Sequence, residues 1–193
     1  MVDIKLVIAR YNEKIDWIKS PNHVIYNKGN QLNDPTKIVI EMPNVGREGH
    51  TYLTHIVKNY NNLNDYTVFL QGDPFPHSGN LPLNLSKIHD SISKGEKITF
   101  KFLSEWLPEC EFSGCKHHWE PLPLKESYKR IFGSEPPTEK FTFGAGAQFI
   151  VSKETIHKRP LAFYKNILSF LDYSVNPMEG YIIERFWGFI FSH

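Results

Sequence analysis

A chain of 193 residues with 22 Lys and Arg against 21 Asp and Glu lacks the cation surplus that a nucleic-acid-binding face uses to displace counterions. No apolar run approaches the roughly 20 residues that cross a bilayer, and Met1 to Lys5 enter a strand pattern without a charged-then-apolar leader. One domain over 1–193, soluble and cytoplasmic, is the expectation.

The run Ile4 to Ala9 is short and β-branched and ends at Arg10-Tyr11-Asn12-Glu13. It reads as a buried strand, followed by a short helix through Ile15, Trp17 and Ile18. A second strand is predicted at His23 to Tyr26, closed by the turn Asn27-Lys28-Gly29-Asn30, and a third at Lys37 to Met42. Pro43 to Glu48 opens a helix whose Leu53, Ile56, Val57 and Tyr60 recur at helical spacing. Thr67 to Leu70 is too uniformly apolar for an edge strand, and Pro74 and Pro76, lacking donors, forbid its continuation. Ser104 to Pro137, rich in Pro, charge and His, reads as a long surface loop with one short helix near Tyr128 to Phe132. Order returns at Phe143 to Val151, a glycine turn followed by a strand, and helices close the chain at Ala162 to Leu171 and Glu179 to Phe191. Alternating strands and helices imply an α/β fold with a mostly parallel sheet covered on both faces, whose ligand sits beyond the strands' carboxyl ends.

Asp73 follows a buried strand, where a carboxylate is placed to hold a hard cation; the Asp-Pro sequence equally suits an ordinary turn. Gly144-Ala145-Gly146 permits close backbone approach to a ligand, but it precedes a strand and lacks dinucleotide-fingerprint spacing, so a tight turn is the alternative. Glu179 opens a helix, where it complements the helix dipole whether or not it has a chemical role. Glu184 and Arg185 lie among apolar residues and must pair internally or face a cleft. Cys110, Cys115, His117 and His118 form C-x4-C-x-H-H; zinc sites use tighter spacing, and a loop with two free thiols and two surface histidines fits the pattern better.

The order of these pieces carries more than any one of them. Asn44-Val45-Gly46-Arg47-Glu48, a helix, then Asp65 to Asp73 resembles the N-terminal half of nucleotide-sugar glycosyltransferases of the A-type fold. Val7 to Glu13 is similar to the first strand and nucleotide loop of that fold, and Phe143 to Ala147 to its glycine loop near the donor sugar. Across nearly its whole length the chain looks like a family known only as a domain of unknown function, sharing Arg-Tyr-Asn-Glu, Phe-Leu-Gln-Gly-Asp-Pro and Glu-Gly-Tyr-Ile-Ile-Glu-Arg-Phe-Trp-Gly. Compact glycosyltransferases of large DNA viruses are similar too, and a viral source would place the chain in the host cytoplasm.

The glycosyltransferase resemblance implies transfer, inverting, from a nucleoside-diphosphate sugar, with UDP the expected nucleotide, to the hydroxyl of a glycan or glycoprotein. By the same resemblance Asp73 and His193 hold Mn²⁺ or Mg²⁺, a Lewis acid for the leaving diphosphate. Ala9, Arg10, Tyr11, Asn12, Lys28, Arg47, Gln71, Gly72, Gly144, Ala145 and Gly146 contact the donor, and Glu179 is the general base. His117, His118 and Trp119 would form the acceptor side. Two departures stand out. Gln71 replaces the first Asp of the metal motif, and Gly180 replaces the Asp after the base. Both suit the alternative of an inactive nucleotide-sugar-binding module.

Overall fold

The computed structural model describes residues 2–115, 118 and 120–192. Among these the chain runs β1 (Ile4–Arg10), β2 (His23–Asn27), β3 (Val39–Glu41), α1 (Arg47–Asn59), β4 (Tyr66–Gln71), α2 (Leu81–Ser93), β5 (Phe100–Phe102), β6 (Glu109–Glu111), α3 (Leu124–Phe132), β7 (Lys140–Thr142), β8 (Phe149–Ser152), α4 (Lys153–His157), α5 (Leu161–Leu168) and α6 (Met178–Phe191). Six strands form one sheet in the order β3-β2-β1-β4-β8-β5. The first four are mutually parallel, and β8 runs antiparallel to both of its neighbours. The mostly parallel sheet expected from the alternation of elements is therefore present. β6 and β7 pair as a separate antiparallel ribbon.

Strand alternation divides the core in two. Val7, Tyr26, Phe69, Phe149 and Val151 face a large cluster completed by Tyr52, Leu53 and Ile56 of α1, Ile167 of α5, and Ile183, Phe186 and Trp187 of α6. Leu6, Ile8, Ile25, Val68, Leu70 and Ile150 face a smaller cluster with Ile15, Ile18 and Leu81, Ile88 and Ile92 of α2. Register makes this alternation cooperative: Leu6 pairs with Val68, Val7 with Phe69 and Ile8 with Leu70. Truncating an aromatic such as Phe69, fully buried between Tyr52 and Phe149, would cost about 3–5 kcal/mol.

Three expectations are corrected. The segment carrying Ile15, Trp17 and Ile18 is irregular, with a turn at Asp16 and Trp17. Ile15 and Ile18 plug the smaller core, and the Trp17 indole donates to the Gly72 carbonyl at 2.9 Å, contacts a regular helix was not needed to make. The region from Ser104 to Pro137 is not simply a surface loop. It contains β6 and the longer α3, and it buries Cys110, Phe112, Cys115, Leu122 and Leu124 in the main core. Those apolar residues are spaced singly among polar ones, so no local period reveals them. The two cysteines are not free thiols: Cys110 and Cys115 form a disulfide. α2 and β5 occupy stretches where the sequence reading named no element, although Leu81, Leu85, Ile88 and Ile92 are helically spaced.

Candidate active site at the carboxyl ends of β1 and β4

β1 is followed by β2 on one side of it, whereas β4 is its neighbour on the other. The loops leaving β1 and β4 therefore diverge, which opens a crevice at their carboxyl ends. A cleft of about 600 Å³ occupies this position. Its floor is Ala9 and Arg10 at the end of β1 with Tyr11 and Glu13 just beyond, and Gln71 at the end of β4 with Asp73 just beyond. Lys28, Asn44, Arg47 and Glu48 form one wall, and Val175, Asn176 and Tyr181 complete it.

Arg10 braces the floor. Only 8% exposed, its guanidinium donates to the carbonyls of Glu13 (3.0 Å), Tyr11 (3.2 Å) and Asn30 (3.2 Å) and to Asn27 Oδ1. Asn27 in turn donates to the Glu41 carboxylate. A buried charge needs such satisfaction, and here it pins two loops at once. Asn12 accepts from the Asn30 backbone at 2.8 Å and does not line the cleft.

The wall carries two cations, Lys28 and Arg47, beside the Glu48 carboxylate. Lys28 is 9% exposed and donates through Nζ to the carbonyls of Val45 (2.6 Å) and Arg47 (2.5 Å). Burial lowers its pKa to about 8, with the nearby Glu48 charge opposing that fall. Gly46 and Arg47 both adopt left-handed backbone, φ 64° and 53°. That conformation strains a non-glycine residue, and such strain concentrates at functional sites. Arg47 Nη1 donates to Asn176 Oδ1 at 3.1 Å, its guanidinium lies 4.2 Å from the Tyr181 ring centroid, and Nε stands 3.8 Å from the Glu48 carboxylate. Gly180 makes this possible, because a Cβ there would come within 2.8 Å of Arg47 Cδ. Gly180 is thus the residue that admits the Arg47 side chain.

Carboxylates line the floor. Asp73 is exposed and its Oδ1 accepts from the Phe75 backbone at 3.3 Å, so it shapes the turn while facing the cleft. Glu13 belongs to the loop that the resemblance assigned to the nucleotide, with no metal role. Its carboxylate accepts from the Tyr11 backbone at 2.6 Å and occupies the space that a Cβ on Gly72 would fill. It lines the cleft together with Asp73, where Gln71 lacks a charge. Its place follows from the register Ala9 to Gln71, which sets the loop after β1 beside the loop after β4.

Of the donor and metal residues expected from sequence, the cleft brings together Ala9, Arg10, Tyr11, Lys28, Arg47, Gln71 and Asp73. Asn12, Gly72, Gly144, Ala145, Gly146 and Glu179 do not line it. The glycine turn is buried: Gly144 packs against Phe102, Gly146 against His77, and Gly146 donates its N–H to Glu184 Oε1 at 2.8 Å. Burial, reinforced by Glu48, raises the Glu184 pKa. Arg185 is 3.7 Å from Glu184 and donates to Cys115 Sγ at 3.3 Å, so this pair is an internal one. Glu179 Oε2 accepts from the Tyr173 hydroxyl at 2.6 Å and borders a small separate hollow with Arg130 and Phe170. His193, His117 and Trp119 lie outside the described residues. The zinc alternative loses its thiolates to the disulfide, and His118 Nδ1 lies 2.6 Å from the Glu120 carbonyl.

No group of three or more His, Cys, Asp or Glu is gathered for a metal among the described residues. Glu13 and Asp73, both lining the cleft, are of the residue type with which one or two carboxylates hold Mg²⁺ or a similar ion while substrate phosphates complete its shell.

Residues 6–193 match the model of a family described as "Protein of unknown function (DUF3431)". The chain belongs to the DUF3431 family. Neither the curated proteins nor the solved structures yield a match.

Proposed function

We propose that the cleft binds a nucleoside-diphosphate sugar, with UDP the nucleotide, and that the chain transfers its glycosyl group to a hydroxyl of a glycan or glycoprotein. The A-type glycosyltransferase fold is the finer reading of the sheet proposed with it. One observation carries the proposal: at the carboxyl ends of the parallel neighbours β1 and β4, the cations Lys28 and Arg47 and the carboxylates Glu13 and Asp73 line one cleft. A diphosphate suits both, paired with the guanidinium on one side and sharing a divalent cation with the carboxylates on the other. Tyr11 is half exposed at the floor and offers a ring to the base.

In this reading Glu13 and Asp73 hold Mn²⁺ or Mg²⁺, which supplies Lewis-acid stabilisation of the leaving diphosphate. Arg47 neutralises phosphate charge, and Arg10 keeps the floor loops in register. The acceptor oxygen bonds to the anomeric carbon, the carbon–oxygen bond to the diphosphate breaks, and the acceptor proton passes to a carboxylate lining the cleft. Glu179, turned to Tyr173, is not placed for that proton. The test is calorimetry with UDP, with and without Mn²⁺, followed by turnover of UDP-sugars by wild type, Asp73→Ala, Glu13→Gln and Glu179→Gln. Mn²⁺-dependent binding lost in the first two variants supports the reading; no UDP binding by wild type ends it.

A binding module without turnover is the second reading, favoured by Gln71 and by the position of Glu179 outside the cleft. It predicts UDP binding with no product. The proposed cytoplasmic location is opposed by the Cys110–Cys115 bond, because disulfides persist in oxidising compartments. No helix among the described residues is long and apolar enough to cross a membrane.

A further inference from the structure

A second hollow, of about 420 Å³, shares Glu13 and Asp73 with the cleft and is otherwise lined by Lys14, Asp16, Trp17 and Phe75. Its aromatic wall is held in place. The Trp17 indole is anchored to the Gly72 carbonyl at 2.9 Å, and its ring meets Phe75 edge-on, with centroids 5.8 Å apart and planes at 82°. Phe75 is fixed by the bond from its N–H to Asp73 and by the prolines on either side, yet it remains 36% exposed. Asp16 and Lys14 are exposed at the rim.

We infer that this hollow is a saccharide subsite, taking a pyranose ring next to the nucleotide cleft. The combination selects that chemistry. A pyranose presents an apolar C–H face, which the negative face of an aromatic ring attracts, and an edge of hydroxyl donors, which carboxylates accept. Asp16, which has no part in holding the cation, is free to accept from sugar hydroxyls, and the charged lining disfavours an acyl chain. The pyranose is either the glycosyl group of the donor or part of an acceptor. Its link to the cleft rests on the transferase reading; the subsite itself rests on the rings and carboxylates.

The experiment compares wild type with Phe75→Ala and Asp16→Asn, both surface changes outside the nucleotide wall. Calorimetry measures UDP, UDP-glucose and UDP-N-acetylglucosamine with Mn²⁺, and saturation-transfer NMR measures free glucose, N-acetylglucosamine and lactose, with choline as the cationic control. Expected is a loss of about tenfold in affinity for a sugar-bearing ligand with UDP affinity unchanged. A loss confined to UDP-sugars assigns the donor's glycosyl group, and a loss confined to free saccharides assigns the acceptor. If wild type binds no UDP but binds a saccharide that Phe75→Ala releases, the subsite stands and the transferase reading fails. Sugar affinities unchanged in both variants, no saccharide bound in any form, or choline bound in place of saccharides overturns the subsite.

Discussion

Gly180 lies against the Arg47 side chain, where a Cβ would stand 2.8 Å from Arg47 Cδ and 3.4 Å from Cγ. Alanine is favoured over glycine in helices by about 1 kcal/mol, and the atom it meets belongs to a flexible side chain. Gly180→Ala is therefore expected to fold with undiminished stability while moving the guanidinium away from Asn176 and Tyr181. UDP affinity measured by calorimetry should fall about tenfold, or ~1.4 kcal/mol. Unchanged affinity would separate Arg47 from the nucleotide.

Gly29 is constrained by backbone instead. A Cβ there would stand inside the contact radius of the Tyr11 carbonyl oxygen, beside Asn12 Oδ1. Because a backbone oxygen cannot swing aside, Gly29→Ala should destabilise the fold by about 2 kcal/mol, read from urea midpoints. It should also weaken UDP binding, since the displaced loop carries Tyr11 and Glu13.

Two buried histidines are expected to make the fold sensitive to acid. His50 and His55 are 8% and 3% exposed, and burial lowers each pKa from 6.5 to about 4; beside His50 the Lys28 charge adds to this and Asp172 opposes it. Both stay neutral in the folded chain while the unfolded chain takes up protons from pH 6.5 downward. Stability is therefore complete above pH 6.5 and is lost as pH falls toward 4, by on the order of 3 kcal/mol for each histidine. Melting temperatures over that range should fall steeply in wild type, and His55→Gln should flatten the slope. An equal slope in the variant would refute the assignment.

The disulfide and the zinc alternative make opposite predictions. Purified without reductant, the chain should resist alkylation at Cys110 and Cys115 and should contain no stoichiometric zinc. Intact mass after iodoacetamide and metal analysis check both. Reduction should lower the melting temperature, because both cysteines sit in the main core.

Local sequence determined the strands that line the cleft and the helix that walls it. β1, β2, β4 and α1 were legible because their apolar periods are strong and their ends carry turn residues such as Asn27-Lys28-Gly29 and Pro74. Arg10, Lys28, Arg47 and Asp73 came from the resemblance to glycosyltransferases, with a plain turn role equally open for Asp73. Tertiary structure alone decided the rest. The antiparallel β8 and the burial of Phe112 and Leu122 depend on contacts distant in sequence, and the short-range Cys110–Cys115 bond on the local chain path, none of which a local period encodes. Glu13 gained its place beside Asp73 from the pairing of β1 with β4, and Glu179 lost its place in the cleft because the face of α6 it occupies turns toward α3. A side chain's type is written in the sequence; the direction it points is set by what packs behind it.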